Sequence, residues 1–551
     1  MHGICSEVRD TNQEVYTITN LILDRWIPVR CRDGTRKTIA PWEMTADHEN
    51  NPATAIVTLR PDFDGALIQY LIGLCQTVIP PEDEEEWREF LLEPPEPSTL
   101  KKEFTRVAGA FNLDGDGPRF MQETGLDDGT VWSVRDLIIG MPEDTKINEN
   151  TDWFVKRDTL NGLCPACAAL ALYTLQTNAP GGGRGHMTSM RGGGPMTTVI
   201  LGPTLWQTVW ANVLDRDDEG EKAKAEDDRR FPWMGQVRTS EGKDVTTPAD
   251  AHPDQAFWGM PRRILLDFDG ATPGTCDLCG EATDHLVTQY RAKPYGIKYA
   301  GWVHPLSPYY RKDKKSTEML PLHPQPGGIT YQNWLGTVVN DRKEGATIAE
   351  NVALFPRRTP PGRVREVFAP NGSRPRLWAF GFDMDNKKPR CYYQGTMPII
   401  SAEDESQPEL EDLAASMVKS AAEMANNVRW CVKVALFDNP ADVKGDLSVT
   451  TARFYQATER DFYRSLEEAV TVLGKGGDTM ALRKEWYRIL KREGEHLFDE
   501  YSQIDLIDEI NARRAVNARK LLRNPFSKAN KAARGHLGIP DPKKQREKAK
   551  T

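Results

Sequence analysis

Two Cys-x-x-Cys pairs, Cys164-Pro165-Ala166-Cys167 and Cys276-Asp277-Leu278-Cys279, stand about 110 residues apart and constrain this chain more than any other feature. Two thiolates separated by two residues can bite one tetrahedral ion, and two such pairs complete a Cys₄ shell. Gly280, directly after the second pair, supplies the backbone freedom that a knuckle turn needs. The expectation is a structural Zn²⁺ held by Cys164, Cys167, Cys276 and Cys279, which would staple two distant segments of one domain. Two separate pairs, redox-active or simply buried, are the alternative. A catalytic zinc fits poorly, because four thiolates leave no open coordination position. Neither pair sits in the H-x-E…P-C-x-x-C pattern of the deaminases. The other five cysteines, Cys5, Cys31, Cys75, Cys391 and Cys431, are isolated and read as small buried hydrophobes.

A second constraint begins near residue 410. Leu410, Leu413, Met417, Ala421, Met424, Val428, Cys431 and Ala435 recur at gaps of three and four, the spacing of a packed helix. Further stripes run through Tyr455, Phe462, Leu466, Ala469 and Leu473, then Leu482, Trp486, Ile489, Leu497 and Tyr501, and a fourth begins at Ile504, Ile507 and Ile510. Short links such as Gly474-Lys475-Gly476-Gly477 favour antiparallel neighbours. At 551 residues the chain is too long for one ordinary domain. It reads as an α+β protein: an N-terminal extension at 1–15, then a large irregular mixed α/β domain at 16–400 with the zinc-stapled region. An acidic linker at 401–409 follows, with Pro408 placed to open a helix. A C-terminal antiparallel four-helix bundle at 410–525 and a basic tail at 526–551 complete the chain. Within the first domain, Tyr16 to Arg30 reads as a strand and Gly65 to Val78 as a helix stopped by Pro80-Pro81. The run Glu82 to Glu86 reads as a solvated face, and Asp215 to Arg230 as a mobile surface insertion.

Composition removes several classes. With 39% hydrophobic residues, 14 Trp and 18 Phe, global disorder is excluded. No stretch approaches the ~20 apolar residues of a membrane span, and the N-terminus lacks the pattern of a signal peptide. A cytoplasmic protein with no membrane partner is expected. The net charge of −9 argues against a nucleic-acid binder on average, but the average conceals an asymmetry. Residues 511–551 hold 13 Lys and Arg against two Asp and Glu, a balance of +11, which leaves −20 on the first 510. That tail makes a local anionic contact or is simply solvated. No phosphate loop G-x-x-x-x-G-K-[ST], H-E-x-x-H or G-x-S-x-G occurs. The nine histidines are scattered, and His304 reads as a satisfied structural residue. No enzyme is expected.

One more segment asks for an explanation: Ala179-Pro180-Gly181-Gly182-Gly183-Arg184-Gly185-His186, followed by Arg191-Gly192-Gly193-Gly194-Pro195. So many glycines do not form a core element, because ordering them costs too much entropy. They suit backbone that approaches a partner closely, and Arg184 and Arg191 among them suggest an anionic partner. A flexible loop without a partner is the plainer reading.

In order along the chain stand Asn20-Leu21 with Trp26-Ile27-Pro28-Val29; Pro118-Arg119-Phe120-Met121-Gln122; Leu163-Cys164-Pro165-Ala166-Cys167-Ala168; Ala179-Pro180-Gly181; Arg191-Gly192-Gly193-Gly194-Pro195; and Trp302-Val303-His304-Pro305. Together these segments resemble one family: CasA, the large subunit of the type I-E CRISPR surveillance complex called Cascade. The Cys276/Cys279 pair and the helical C-terminus complete the order, and residues 1–15 extend beyond the family's usual start.

The resemblance implies a non-catalytic subunit that reads the protospacer-adjacent motif on duplex DNA, helps begin strand separation, and recruits the helicase–nuclease. Its partners would be the other Cascade subunits, the guide RNA and double-stranded target DNA. A structural adaptor of a nucleoprotein complex or a zinc-dependent enzyme are the competing readings. Family recognition comes from the minor-groove side, where bare glycine backbone and a long cation fit. Carried over by position, the glycine loop is Gly181, Gly182, Gly183, Arg184 and Gly185, with Arg184 where a further glycine is expected. The lysine finger matches Lys293, with Lys298 competing. The wedge matches Gly381 to Lys388, with Asn386 near its tip and Lys387 or Lys388 where the family often has a glutamine. Trp153, Phe154 and Lys156 match a loop that anchors the subunit near the guide-RNA end. Arg513, Arg514, Arg519 and Lys520 would hold DNA phosphates without reading sequence.

Overall fold

The structure is a computed structural model and describes residues 18–141, 159–183, 185–216, 222–312, 318–341, 345–385, 388–443, 447–502 and 511–540. In chain order its strands and helices begin with β1 (Ile27–Cys31), β2 (Arg36–Ile39), β3 (Ala53–Ile56), α1 (Pro61–Val78), α2 (Glu84–Leu92) and α3 (Pro97–Thr105). Next come β4 (Thr130–Ser133), α4 (Pro165–Asn178), β5 (Thr197–Leu201), α5 (Leu205–Trp210), β6 (Arg263–Leu266), β7 (Thr272–Thr275), β8 (Ala282–Leu286) and β9 (Gln289–Lys293). Then follow β10 (Tyr309–Arg311), β11 (Met319–Pro321), β12 (Ala346–Thr347), α6 (Glu350–Arg358), α7 (Arg363–Phe368), β13 (Arg376–Asp385) and β14 (Lys388–Pro398). The C-terminal helices are α8 (Gln407–Leu436), α9 (Ser448–Leu473), α10 (Met480–Ser502), α11 (Ala512–Arg523) and α12 (Lys528–His536). The architecture is mixed α/β, with small sheets first and helices last. Two units divide it: Met1–Gly194, Thr204–Trp302 and Asp385–Arg390 form the first, and Pro195–Pro203, Val303–Met384 and Cys391–Thr551 the second.

The first unit is organised around α1. Pro61 sits at its first position, where a missing N–H is harmless, and the helix ends before Pro80-Pro81. Tyr70 is the hub: its ring meets those of Trp26, Phe111, Phe120, Tyr173 and Trp258 edge-on, with centroids 5.4–5.9 Å apart. Three-stranded antiparallel sheets in the orders β2-β1-β3 and β4-β9-β6, and the β7-β8 hairpin, complete it.

Three local expectations change here. The strand expected from Tyr16 to Arg30 is confined to β1, with residues 16 and 17 outside the described residues. The Asp24 carboxylate accepts from Thr19 N and Asn20 N, while Asn20 Oδ1 accepts from Ile22 N and Leu23 N. Side chains thus offer this backbone a turn instead of a ladder. The described parts of the expected mobile insertion, 215–216 and 222–230, are packed, with Arg216 N donating to Pro81 O. Arg230 is clamped between Asp227 and Asp254, and Ala223 is buried with its carbonyl held by Arg106. Among the isolated cysteines, Cys31, Cys75 and Cys431 are buried, whereas Cys391 on β14 is exposed and Cys5 is outside the described residues.

The second unit combines the sheets β14-β13-β5 and β11-β10-β12 with the C-terminal helices. All eight residues of the stripe from Leu410 to Ala435 are buried on α8, which packs against each of the four helices after it. Gly494 lets α10 approach α8: a Cβ there would stand 3.1 Å from Val428 Cγ2. Arg453 pairs with Glu500 and Arg492 with Asp461, so α9 and α10 run antiparallel. Tyr331 stacks on Phe462 at 4.4 Å and its hydroxyl shares a hydrogen bond with Thr458, which seats residues 331–334 on these helices. Residues 504–510, where the fourth stripe was expected to begin, lie outside the described residues. The stretch read as a tail from 526 carries α12, because the Asn530 amide caps the carbonyls of Leu522 and Asn524 and its oxygen accepts from Tyr487. His304 is buried as expected, with Nδ1 accepting from Leu306 N.

Candidate metal centre and nucleic-acid interface

The first Cys pair opens α4, with Cys164 at the cap and Pro165 at the first helical position. The second sits in the tight turn between β7 and β8, closed by Gly280 N donating to Cys276 O, with Gly280 at φ +79°. Asp277 joins the two segments: its carboxylate accepts from the backbone of Asn161 and Gly162, and its own N–H donates to Gly162 O. Leu163 and Val287 exchange two further backbone hydrogen bonds. The four sulfurs consequently lie within 4.8 Å of one another, with Cys164 and Cys279 Sγ 3.6 Å apart. A tetrahedron of ~2.3 Å Zn–S bonds puts its sulfurs about 3.8 Å apart. That separation fits a shared ion and is too long for a disulfide. Cys164, Cys167 and Cys276 are buried, and the four neighbouring thiols pull one another apart: Cys276 and Cys279 are drawn below the ordinary thiol range, first by Cys164, while Cys164 and Cys167 are pushed above it. The donor set therefore suits a thiophilic cation such as Zn²⁺, in a closed shell without room for substrate.

The second candidate site lies elsewhere in the first unit. In the β4-β9-β6 sheet, Lys293 at the end of β9 is directly opposite Arg263 on β6. Like charges placed so repel, and each has its own carboxylate. Arg263 makes a two-pronged bond to Glu123 at 2.6 and 2.7 Å, and Lys293 pairs with Asp128. The glycine segment is held beside this edge. Ser189 N donates to Ala179 O, and Tyr295 N donates to Gly185 O at 2.7 Å. Gly185 has φ +81°, and a Cβ there would strike Pro294 Cβ at 2.6 Å, so glycine is required twice over.

A cavity of 460 Å³ collects Gly181, Gly182, Gly183, His186, Arg262, Lys293 and Lys388 in its lining, and Lys298 is not among its lining residues. The loop, the finger and one wedge lysine, each proposed from a different part of the sequence, are thus together. Arg184, Asn386, Lys387, Trp153, Phe154 and Lys156 lie outside the described residues. Arg191, read as facing an anionic partner, is instead 4% exposed and donates to Gln69. Its neighbours on α1 draw it into the core.

The C-terminal cations separate by partner. Arg514 donates to Ala435 O and Leu436 O and pairs with Asp438, so it caps the end of α8. Arg519 pairs with Asp499. Arg513 and Lys520 are exposed, and among the described residues no carboxylate pairs with either. Sequence reasoning missed Arg262, Arg263, Glu123 and Asp128; nothing in their local pattern distinguishes them from other surface charges.

Residues 20–497 match the family model of CRISPR-associated protein Cse1. The fold is similar to that of CasA from Thermus thermophilus, with TM-score 0.64 and 16% identity over 95% of this chain and 100% of that one. It is also similar to Cse1 from Thermobifida fusca, with TM-score 0.65 and 17% identity over 94% and 98% of the two chains. A chain of a CRISPR RNA-guided surveillance complex matches with TM-score 0.63 and 14% identity over 91% and 99%. Among the described residues no helix is long and apolar enough to cross a membrane.

Proposed function

This chain belongs to the CRISPR-associated Cse1 family, and from that premise we propose that it is the non-catalytic DNA-recognition subunit of an RNA-guided surveillance complex. One observation carries the reading: bare glycine backbone, Lys293 and Lys388 line a single cavity. Glycine backbone admits a close groove wall, and a lysine reaches the acceptors on the floor of the minor groove. Lys388 ends the 381–388 segment, which we read as the wedge that holds separated strands. Cys164, Cys167, Cys276 and Cys279 hold a structural Zn²⁺ that fixes α4, and with it the start of the glycine loop. Four thiolates saturate such an ion, so it contributes no substrate chemistry.

Residues 153–156 anchor the subunit near the guide-RNA end, and the C-terminal helices form a four-helix bundle with α12 appended. The partners are the other subunits and guide RNA, the target duplex, and a recruited helicase–nuclease, all in the cytoplasm. Gly183 offers the cleanest test, because a Cβ there meets nothing within 4 Å. Gly183→Asp places a carboxylate at the loop without disturbing the fold. In the assembled complex it is expected to weaken binding of motif-containing duplex by tenfold or more, on the scale of about 1.4 kcal/mol per decade, with assembly intact. Equal binding by wild type and variant removes the loop from DNA reading.

A further inference from the structure

Arg262 is the anomaly of the cavity. It lies just before β6, where its backbone N–H donates to Gln176 Oε1 and its carbonyl accepts from Gln176 Nε2, so its position is fixed. Its guanidinium runs beneath the glycine segment. Nη2 donates to Pro180 O at 2.5 Å, and Nη1 stands 3.1 Å from where a Gly182 Cβ would be, a space open only because residue 182 is glycine. Nε is buried and has no hydrogen-bond partner. Among the described residues no carboxylate pairs with Arg262, although its neighbours Arg263 and Lys293 each have one.

A guanidinium carries five N–H donors and a full charge. Among the described residues its side chain donates to one acceptor, the Pro180 carbonyl, and the carbonyl end of α4 adds only partial negative charge. Burial pulls its pKa down to about 10, which leaves it charged at neutral pH. Arg262 is half-buried, and Asp136, the carboxylate that also lines the cavity, pairs with Arg135, so the charge of Arg262 is open to an anion that enters the cavity. The fork geometry of arginine matches phosphate oxygens two at a time.

We propose that Arg262 forms a phosphate subsite in the wall of this cavity, which takes one backbone phosphate of the bound duplex and fixes its register against Lys293. The inference rests on the DNA-reading role proposed for the cavity and adds a residue that positions without reading sequence.

The test uses the complete complex with guide RNA, titrated with motif-matched and mismatched duplexes at several salt concentrations. Arg262→Gln keeps a donor for Pro180 O and removes the charge. It is expected to weaken both duplexes by the same factor and to flatten the log–log salt slope by about 0.9, the value for one lost phosphate. Arg262→Lys keeps the charge and loses the fork, so it should retain the slope with lower affinity. It also serves as the measurement if the glutamine variant does not assemble.

Unchanged affinity and slope in both variants, with Lys293→Ala still narrowing the gap between duplexes, overturns the subsite and leaves Arg262 as a clamp on Pro180. If Lys293→Ala and Gly183→Asp also leave binding unchanged, the DNA-reading role of the cavity falls with it.

Discussion

The ammonium of Lys293 rests on the carboxylate of Asp128, which is itself 78% exposed, while the neighbouring Arg263–Glu123 pair is 15% exposed on both sides. The two pairs are therefore unequal. Arg263 is committed to its partner, whereas Lys293 is held by a carboxylate already in water, which an incoming acceptor can replace. For Lys293 to reach DNA in the proposed role, it would have to leave this pair. Neutralising Asp128 removes the competitor, so Asp128→Asn is expected to tighten binding of matched duplex by about two- to fivefold, the range for exposed ion pairs. The gain should disappear in the Lys293→Ala background. A gain that persists without Lys293 means that Asp128 acts by general repulsion of DNA.

Metal content is the next expectation. Elemental analysis of the purified chain should find one zinc per molecule. Any of Cys164→Ser, Cys167→Ser, Cys276→Ser or Cys279→Ser should lose it and destabilise the first unit by about 2–5 kcal/mol, the scale of losing a native cross-link. The Leu163–Val287 bonds and the Asp277 contacts do not depend on metal. The segments should therefore loosen without coming apart, and the helicity of α8–α12 should persist. A metal-free protein of unchanged melting temperature rejects the staple.

How much was legible in the sequence follows from how local each cause is. The stripe on α8 was readable because helical burial repeats along one element. Several residues that carry the family resemblance proved to be buried supports, whereas Pro118 and Val303 are exposed. Asn20 donates to Ala108 O, the Trp26 indole donates to Leu21 O, and Gln122 bridges Leu113 O and Leu266 N. The separation of Arg513 from Arg514 was not legible, since it depends on where α8 ends in space. Arg262 was equally invisible: its significance is the lack of a carboxylate, a fact about neighbours rather than about sequence.

A pH dependence should originate at Asp64. It lies in the first turn of α1, accepts from Thr58 N at 2.8 Å, and is pushed by burial from the ordinary 3.8 up to about 6. A carboxyl that binds its proton more tightly when folded contributes stability fully present below pH 3.8 and lost as pH rises through about 6. Urea unfolding from pH 4 to 7 should therefore show a downward slope with rising pH from this residue. Asp64→Asn, which keeps an acceptor for Thr58 N, should flatten it. Parallel profiles for wild type and variant would place the titration elsewhere.

The C-terminal cations give the last prediction, because the structure divides them into two kinds. Arg513 and Lys520 are seven residues apart on α11, hence on one helical face about 10 Å apart along the axis. Both are exposed, and Val516 beside them is 48% exposed, so this face is open to solvent. Arg514 points the other way in function: its bonds to Ala435 O, Leu436 O and Asp438 tie α11 to the end of α8. If Arg513 and Lys520 hold DNA phosphates, Arg513→Ala and Lys520→Ala should each flatten the salt slope by up to about 0.9 and weaken every duplex alike. Removing Arg514 should leave the slope unchanged and lower the stability of the helical region by about 0.5–2 kcal/mol, the range for a cation at a helix C-terminus. Salt titrations of the assembled complex and thermal melts of the isolated chain separate the two effects. If Arg514→Ala flattens the slope as much as Arg513→Ala does, its bonds to α8 yield to DNA, and all of these cations belong to one phosphate-binding face.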